Sequence, residues 1–84
     1  MRGKNPIMWC DKEAKKRNSI LEWKWISESG PSHDKIFVCS VHIGQMATMG
    51  SANSKKGAKT KAAEEMVKHL DRLRQMQAIG KLNF

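Results

Sequence analysis

The chain lacks much that an enzyme, a membrane protein or a secreted scaffold would need. No apolar run approaches the roughly 20 residues of a membrane span. The two cysteines, Cys10 and Cys39, are far apart and form no CxxC. Together with His33, His42 and His69 they complete no zinc pattern, so no metal is expected. No secretory signal segment is evident at the start, which favours a reducing, intracellular setting, in the nucleus and/or the cytoplasm, with both thiols packed as small apolar groups. There is no nucleophile beside a local base motif, no paired-carboxylate signature and no phosphate-binding glycine loop. No catalysis, cofactor or small-molecule substrate is expected. Acidic residues are also scarce: eight Asp and Glu stand against sixteen Lys and Arg in 84 residues, a formal charge of +8. That excess favours a polyanionic partner, because neutralised phosphates release condensed counterions. The length is that of one small domain, spanning 1–84, with a core at about 5–73 and an extension at 74–84.

The patterning that is present reads helix, three strands, helix. Asn5 is an N-cap and Pro6 occupies the first helical position. Ile7, Cys10 and Ala14 recur at helical spacing over about 6–17. Leu21, Trp23 and Trp25 then alternate with Glu22, Lys24 and Ile26, which predicts a strand with both tryptophans facing the core. Ser29-Gly30-Pro31-Ser32 breaks it. Phe37, Cys39, Val41 and Ile43 resume the alternation over about 35–43, and a weaker strand covers 45–51. Asn53 or Ser54 caps a second helix, with Ala58, Ala62, Ala63, Met66, Val67, Leu70 and Leu73 as its apolar stripe. Ile79, Leu82 and Phe84 follow in a tail whose structure the pattern leaves open. The expected fold is α+β, α-β-β-β-α, a three-stranded antiparallel sheet with both helices packed on one face.

The second helix carries the strongest functional signal. At about 100° per residue, Lys55, Lys59 and Lys56 lie at roughly 0°, 40° and 100°, while Met66, Leu70 and Leu73 lie at about 20°, 60° and 0°. Cations on the azimuth of the buried stripe, at the positive end of the helix, imply a first turn that overhangs the sheet and clamps phosphate. A solvated charge run is the plain alternative, but Lys61, Glu64, Lys68, Asp71 and Arg72 already supply a solvent face. Ser32 and His33 stand in the loop between the first two strands, where an imidazole can meet a ribose 2′-OH. Met8, Lys12 and Lys15 lie off the first helix's apolar stripe.

In order and spacing, Asn5-Pro6, Gly30-Pro31-Ser32-His33, the alternation from Phe37 to Ile43, and Ser54-Lys55-Lys56-Gly57-Ala58-Lys59 followed by Ala62-Ala63 resemble the double-stranded-RNA-binding domain family. The resemblance covers about residues 5–73. It implies that the first helix and the His33 loop enter successive minor grooves of an RNA duplex, while Lys55, Lys56 and Lys59 bridge the intervening major groove. Such domains span about 16 base pairs and read shape more than sequence. Departures are Lys12 where the family often has Glu, Ala52 where a second glycine is usual, and Met66 in place of a small residue. Within the family, Lys4-Asn5-Pro6-Ile7-Met8 and Phe37-Val38-Cys39-Ser40-Val41 look most like the domains of RNA-editing adenosine deaminases. In that group a methionine on the first helix reads a base edge, and the deaminase chemistry would sit in a separate domain. The rival expectation is a protein-interaction module of the same fold with little RNA affinity. Ile26, Ile36 and Val38 are placed away from the helices and suggest a weak homodimer through the open sheet face, aided by the tail at 79–84.

Overall fold

In the computed structural model the backbone is described for residues 5–82 and side chains for residues 5–75. The chain runs α1 (Pro6–Lys16), β1 (Leu21–Ser29), β2 (Ile36–Ile43), β3 (Met46–Ala52) and α2 (Lys55–Leu82). The sheet is an antiparallel meander in the order β1-β2-β3.

Local chemistry sets the helix ends. The Asn5 side chain accepts hydrogen bonds from the Ile7 and Met8 amides, and Pro6 follows at the first helical position, which satisfies donors that the helix itself leaves unpaired. At the other end Asn18 adopts φ 58 and the Ser19 amide reaches back to the Ala14 carbonyl at 2.9 Å, closing α1 with a left-handed residue. Ser54, and not Asn53, caps α2: its hydroxyl accepts from the Gly57 amide at 3.0 Å.

Cross-strand register places Leu21, Trp23 and Trp25 opposite Ile43, Val41 and Cys39 on the helix side of the sheet. Val41, Ile43, Ala62, Ala63, Met66 and Leu70 are fully enclosed there, with Cys10 and Ala14 arriving from α1. Each large apolar side chain so enclosed contributes about 1.5–3 kcal/mol. The alanines matter for a different reason. Thr48 Oγ donates to the Ala62 carbonyl at 2.8 Å, and a Cβ built on Gly50 would fall 2.6 Å from the Lys61 carbonyl carbon. The α2 backbone therefore lies directly on β3, which only small side chains permit. Ala52 is accommodated because Gly57 stands across from it.

The helices share one side of the sheet, but α1 leans mainly on α2 and meets the sheet at β1. The Cys10 thiol donates to the Ala63 carbonyl at 3.7 Å. Glu13, a charged residue on α1, is buried at 6% exposure. It accepts from Arg17 Nε at 2.9 Å and from Arg74 Nη2 at 3.4 Å, so a carboxylate pins the end of α1 to the far part of α2.

Two expectations need correction. Trp23 is half-buried against the core, but Trp25 stays 50% exposed, because the residue above it on α2 is a lysine rather than an apolar side chain. The alternation in β1 also ends early: the register shifts between Trp25 and Ser27, leaving Ile26 in a bulge. Beyond it the strand continues to Ser29, paired with Ile36. The backbone of α2 extends the helix through most of the tail, to Leu82. The side chains of Ile79, Leu82 and Phe84, invoked for self-association, lie outside the described residues.

Candidate nucleic-acid interface

The first turn of α2 holds Lys55 and Lys56 exposed and Lys59 half-buried, with no acidic residue in the turn. Lysines near a helix N-terminus oppose the macrodipole, so an anion placed among them is favoured by both the side chains and the helix end.

The three lysines do not all point one way. Lys59 Nζ lies 4.7 Å from the centre of the Trp23 ring, and Lys55 Nζ lies 5.9 Å from that of Trp25. Two positions four apart on the helix thus match two positions two apart on the strand. Each ammonium rests over an aromatic face, a contact worth about 0.5–1 kcal/mol at exposed sites. Lys56 instead borders a shallow cleft with Ser54, Thr60, Lys61 and Glu64. The common azimuth expected of the three holds for Lys55 and Lys59, whereas Lys56 belongs to the opposite flank, where Lys61 joins it. The charge of Lys59 is felt by the buried Cys39 thiol, which burial pushes upward and Lys59 pulls back down.

Ser32 and His33 are exposed in the β1–β2 loop. At its base Lys35 Nζ donates to Glu28 Oε2 at 2.7 Å, and Lys35 holds the Glu28 carboxyl below its usual range. The Asn53 side chain donates to the Lys35 carbonyl at 3.1 Å and to Asp34 Oδ1 at 3.3 Å, linking this loop to the start of α2. Met8, Lys12 and Lys15 are all exposed on α1 and form a separate patch. Met8 is 56% exposed, and Lys15 Nζ makes a surface pair with Asp11 at 3.4 Å. Sequence reasoning missed the tryptophan supports and Lys61. The signal for the former was the i, i+2 spacing of Trp23 and Trp25 set against the i, i+4 spacing of Lys55 and Lys59.

Among the described residues no cluster of His, Cys, Asp or Glu could hold a metal ion. No helix among them is long and apolar enough to cross a membrane.

Known proteins resemble the chain in both sequence and fold. The maternal effect protein staufen of Drosophila melanogaster is 37% identical over 70 residues, covering 83% of this chain and 7% of that protein. A Staufen homolog 2 from Xenopus tropicalis is 42% identical over 66 residues, 79% of this chain and 11% of that protein. Ribonuclease 3 of Aquifex aeolicus is 42% identical over 50 residues, 60% of this chain and 23% of that enzyme. The chain therefore spans about a tenth of the length of the Staufen proteins it matches. In structure it superimposes on the third such domain of Drosophila Staufen, solved by NMR in complex with an RNA hairpin. The TM-score is 0.59 at 35% identity, covering 86% of this chain and 95% of that one. These matches lend no support to the finer resemblance to editing deaminases. The model of the double-stranded RNA binding motif matches residues 12–70, and with the fold and the lysine-bearing turn in place, the chain belongs to that family.

Proposed function

We propose that this domain binds double-stranded RNA by shape and by phosphate and 2′-OH contacts, as the RNA-targeting module of a larger RNA-processing protein. The observation that carries this is the acid-free first turn of α2, with Lys55 and Lys59 held over rings of β1 and Lys56 on the opposite flank. A relative of the same fold was solved on an RNA hairpin. In this reading residues 1–84 act as one unit, non-catalytic and intracellular, in the nucleus and/or the cytoplasm. Lys55, Lys56 and Lys59 take phosphates. Ser32 and His33 take one minor groove, and Met8, Lys12 and Lys15 take another. An RNA-editing parent is the narrower version, suggested by the segments at 4–8 and 37–41, whereas the Staufen relatives favour a different parent.

The test is a titration at fixed salt against a duplex RNA of about 20 base pairs, long enough for a footprint of about 16, with DNA duplex and single-stranded RNA as competitors. Duplex RNA is expected to win. Replacing Lys55, Lys56 and Lys59 by Ala is expected to weaken every duplex alike and to flatten the slope of log affinity against log salt by about 2–3. Equal binding to all three nucleic acids reduces the site to a generic basic surface.

A second reading, self-association, is favoured by the outer face of the sheet. Ile26, Ile36 and Met49 are exposed there at 51%, 39% and 54%, beside a half-buried Val38. A concentration series by sedimentation that finds only monomer at high micromolar ends this reading.

A further inference from the structure

The His33 loop and the lysine-bearing turn are separated by two strands in sequence, and one side chain joins them. The loop is braced internally. Gly30 turns the chain at φ +97, where a side chain would also meet the Asp34 carbonyl oxygen at 2.6 Å. The Asp34 amide donates to the Pro31 carbonyl at 2.9 Å, and the Lys35–Glu28 pair closes the strand ends. Asn53 then ties this compact unit to α2. Its two acceptors, the Lys35 carbonyl and the Asp34 carboxylate, require the amide nitrogen on that side, which fixes the orientation of the amide. Asn53 directly precedes the cap Ser54, and Lys55 and Lys56 come next. On the loop side, His33 directly precedes Asp34.

We propose that Asn53 is a positioning residue that holds the His33 loop at a set separation from the lysine turn, and so contributes to the preference for A-form duplex. The inference rests on the RNA-binding reading above. A-form RNA has a wide, shallow minor groove beside a deep, narrow major groove, whereas B-form DNA has a narrow minor groove and a wide major one. The spacing between a minor-groove contact and phosphates across the next major groove therefore differs between the two duplexes. A braced loop matches one spacing. A loop released from α2 adjusts to either. Asn53 is exposed and adds nothing to the core, so its effect on recognition is separable from its effect on stability.

The experiment compares the full chain with Asn53→Ala, Asn53→Asp, His33→Ala and the Asn53→Ala/His33→Ala double variant, each titrated with a 20-base-pair RNA duplex and the DNA duplex of the same sequence. Losing two exposed hydrogen bonds is expected to weaken RNA binding by about three- to tenfold. DNA binding should fall much less, lowering the RNA-to-DNA ratio. Asn53→Asp, nearly isosteric but without donors and facing the Asp34 carboxylate, should do at least as much. His33→Ala should matter less once Asn53 is gone, a non-additivity expected of coupled sites. The salt slope should hold, because the phosphates contacted are unchanged, and the melting temperature should barely move. Equal losses on RNA and DNA, a strictly additive cycle, or wild-type binding by Asn53→Asp each overturn the proposal. A wild-type chain with no preference for duplex RNA overturns the RNA-binding reading itself and this inference with it, and that outcome is visible before any variant is made.

Discussion

Along α2, Ala62–Leu70 and Lys55–Lys59 turn the same azimuth toward the sheet and meet different surroundings. The later segment lies on β3 and β2, and Ala62, Ala63, Met66 and Leu70 are fully enclosed. The earlier one sends the side chains of Lys59 and Lys55 out to the edge strand β1, where their ammonium groups rest on the rings of Trp23 and Trp25. The first makes an ordinary core. The second keeps two cations aligned while leaving their charge available to an anion. Amphipathic period alone does not separate core from site; what lies beneath each turn does.

At Gly50 the later segment presses closest on β3. Gly50→Val puts atoms where the Lys61 and Ala62 backbone lies. Overpacking of this kind is expected to cost about 3 kcal/mol, lowering the melting temperature by more than about 10 °C. A wild-type melting curve would mean that α2 is not seated as closely as described.

A smaller effect is expected where the core turn meets α1. Burial, aided by the nearby Glu13 carboxylate, pushes the Cys10 thiol up to about 11 from 9.0. A folded-state value above the unfolded one favours the protonated native form. Its contribution is complete below about pH 9 and is lost as pH rises toward 11, roughly 2–3 kcal/mol in all. The fall in stability over that window should therefore be shallower in Cys10→Ala than in wild type, and parallel curves from chemical denaturation would show that the thiol is not the cause.

The smallest effect belongs to the site end of the helix. Trp25→Leu should leave stability nearly unchanged and weaken duplex RNA binding by about two- to fivefold, the value of one exposed cation–π contact. Trp25→Phe, which keeps a ring under Lys55, should recover most of the loss. If Leu and Phe behave alike, the ring does not position the lysine.

Much of this was legible in the residues. The caps at Asn5 and Ser54, the alternation of β2 and the alanine-rich stripe of α2 are local signals, and local physics sets them. What escaped depended on partners distant in sequence. Nothing local on α1 signals the burial of Glu13, one of whose two arginine partners, Arg74, stands 61 positions away. Trp25 reads as core by alternation, and its exposure follows from a lysine above it. Ser29 stands at the expected break after the first strand, yet pairing with Ile36 keeps it within β1. The flank of Lys56 is the exception, a local matter, since its 100° step from Lys55 was already in the helix period.

A three-stranded sheet leaves two open edges, and the bulge at Ile26 bears on one of them. An uninterrupted β1 would offer a continuous row of amides and carbonyls to the strand of a second copy. The bulge breaks that row and increases the local twist. Domains of this kind gathered side by side on one long duplex would be held at high local concentration, the condition under which stray strand pairing becomes a hazard. Under the RNA-binding reading, the irregular edge would let such domains crowd along a duplex without knitting into a shared sheet.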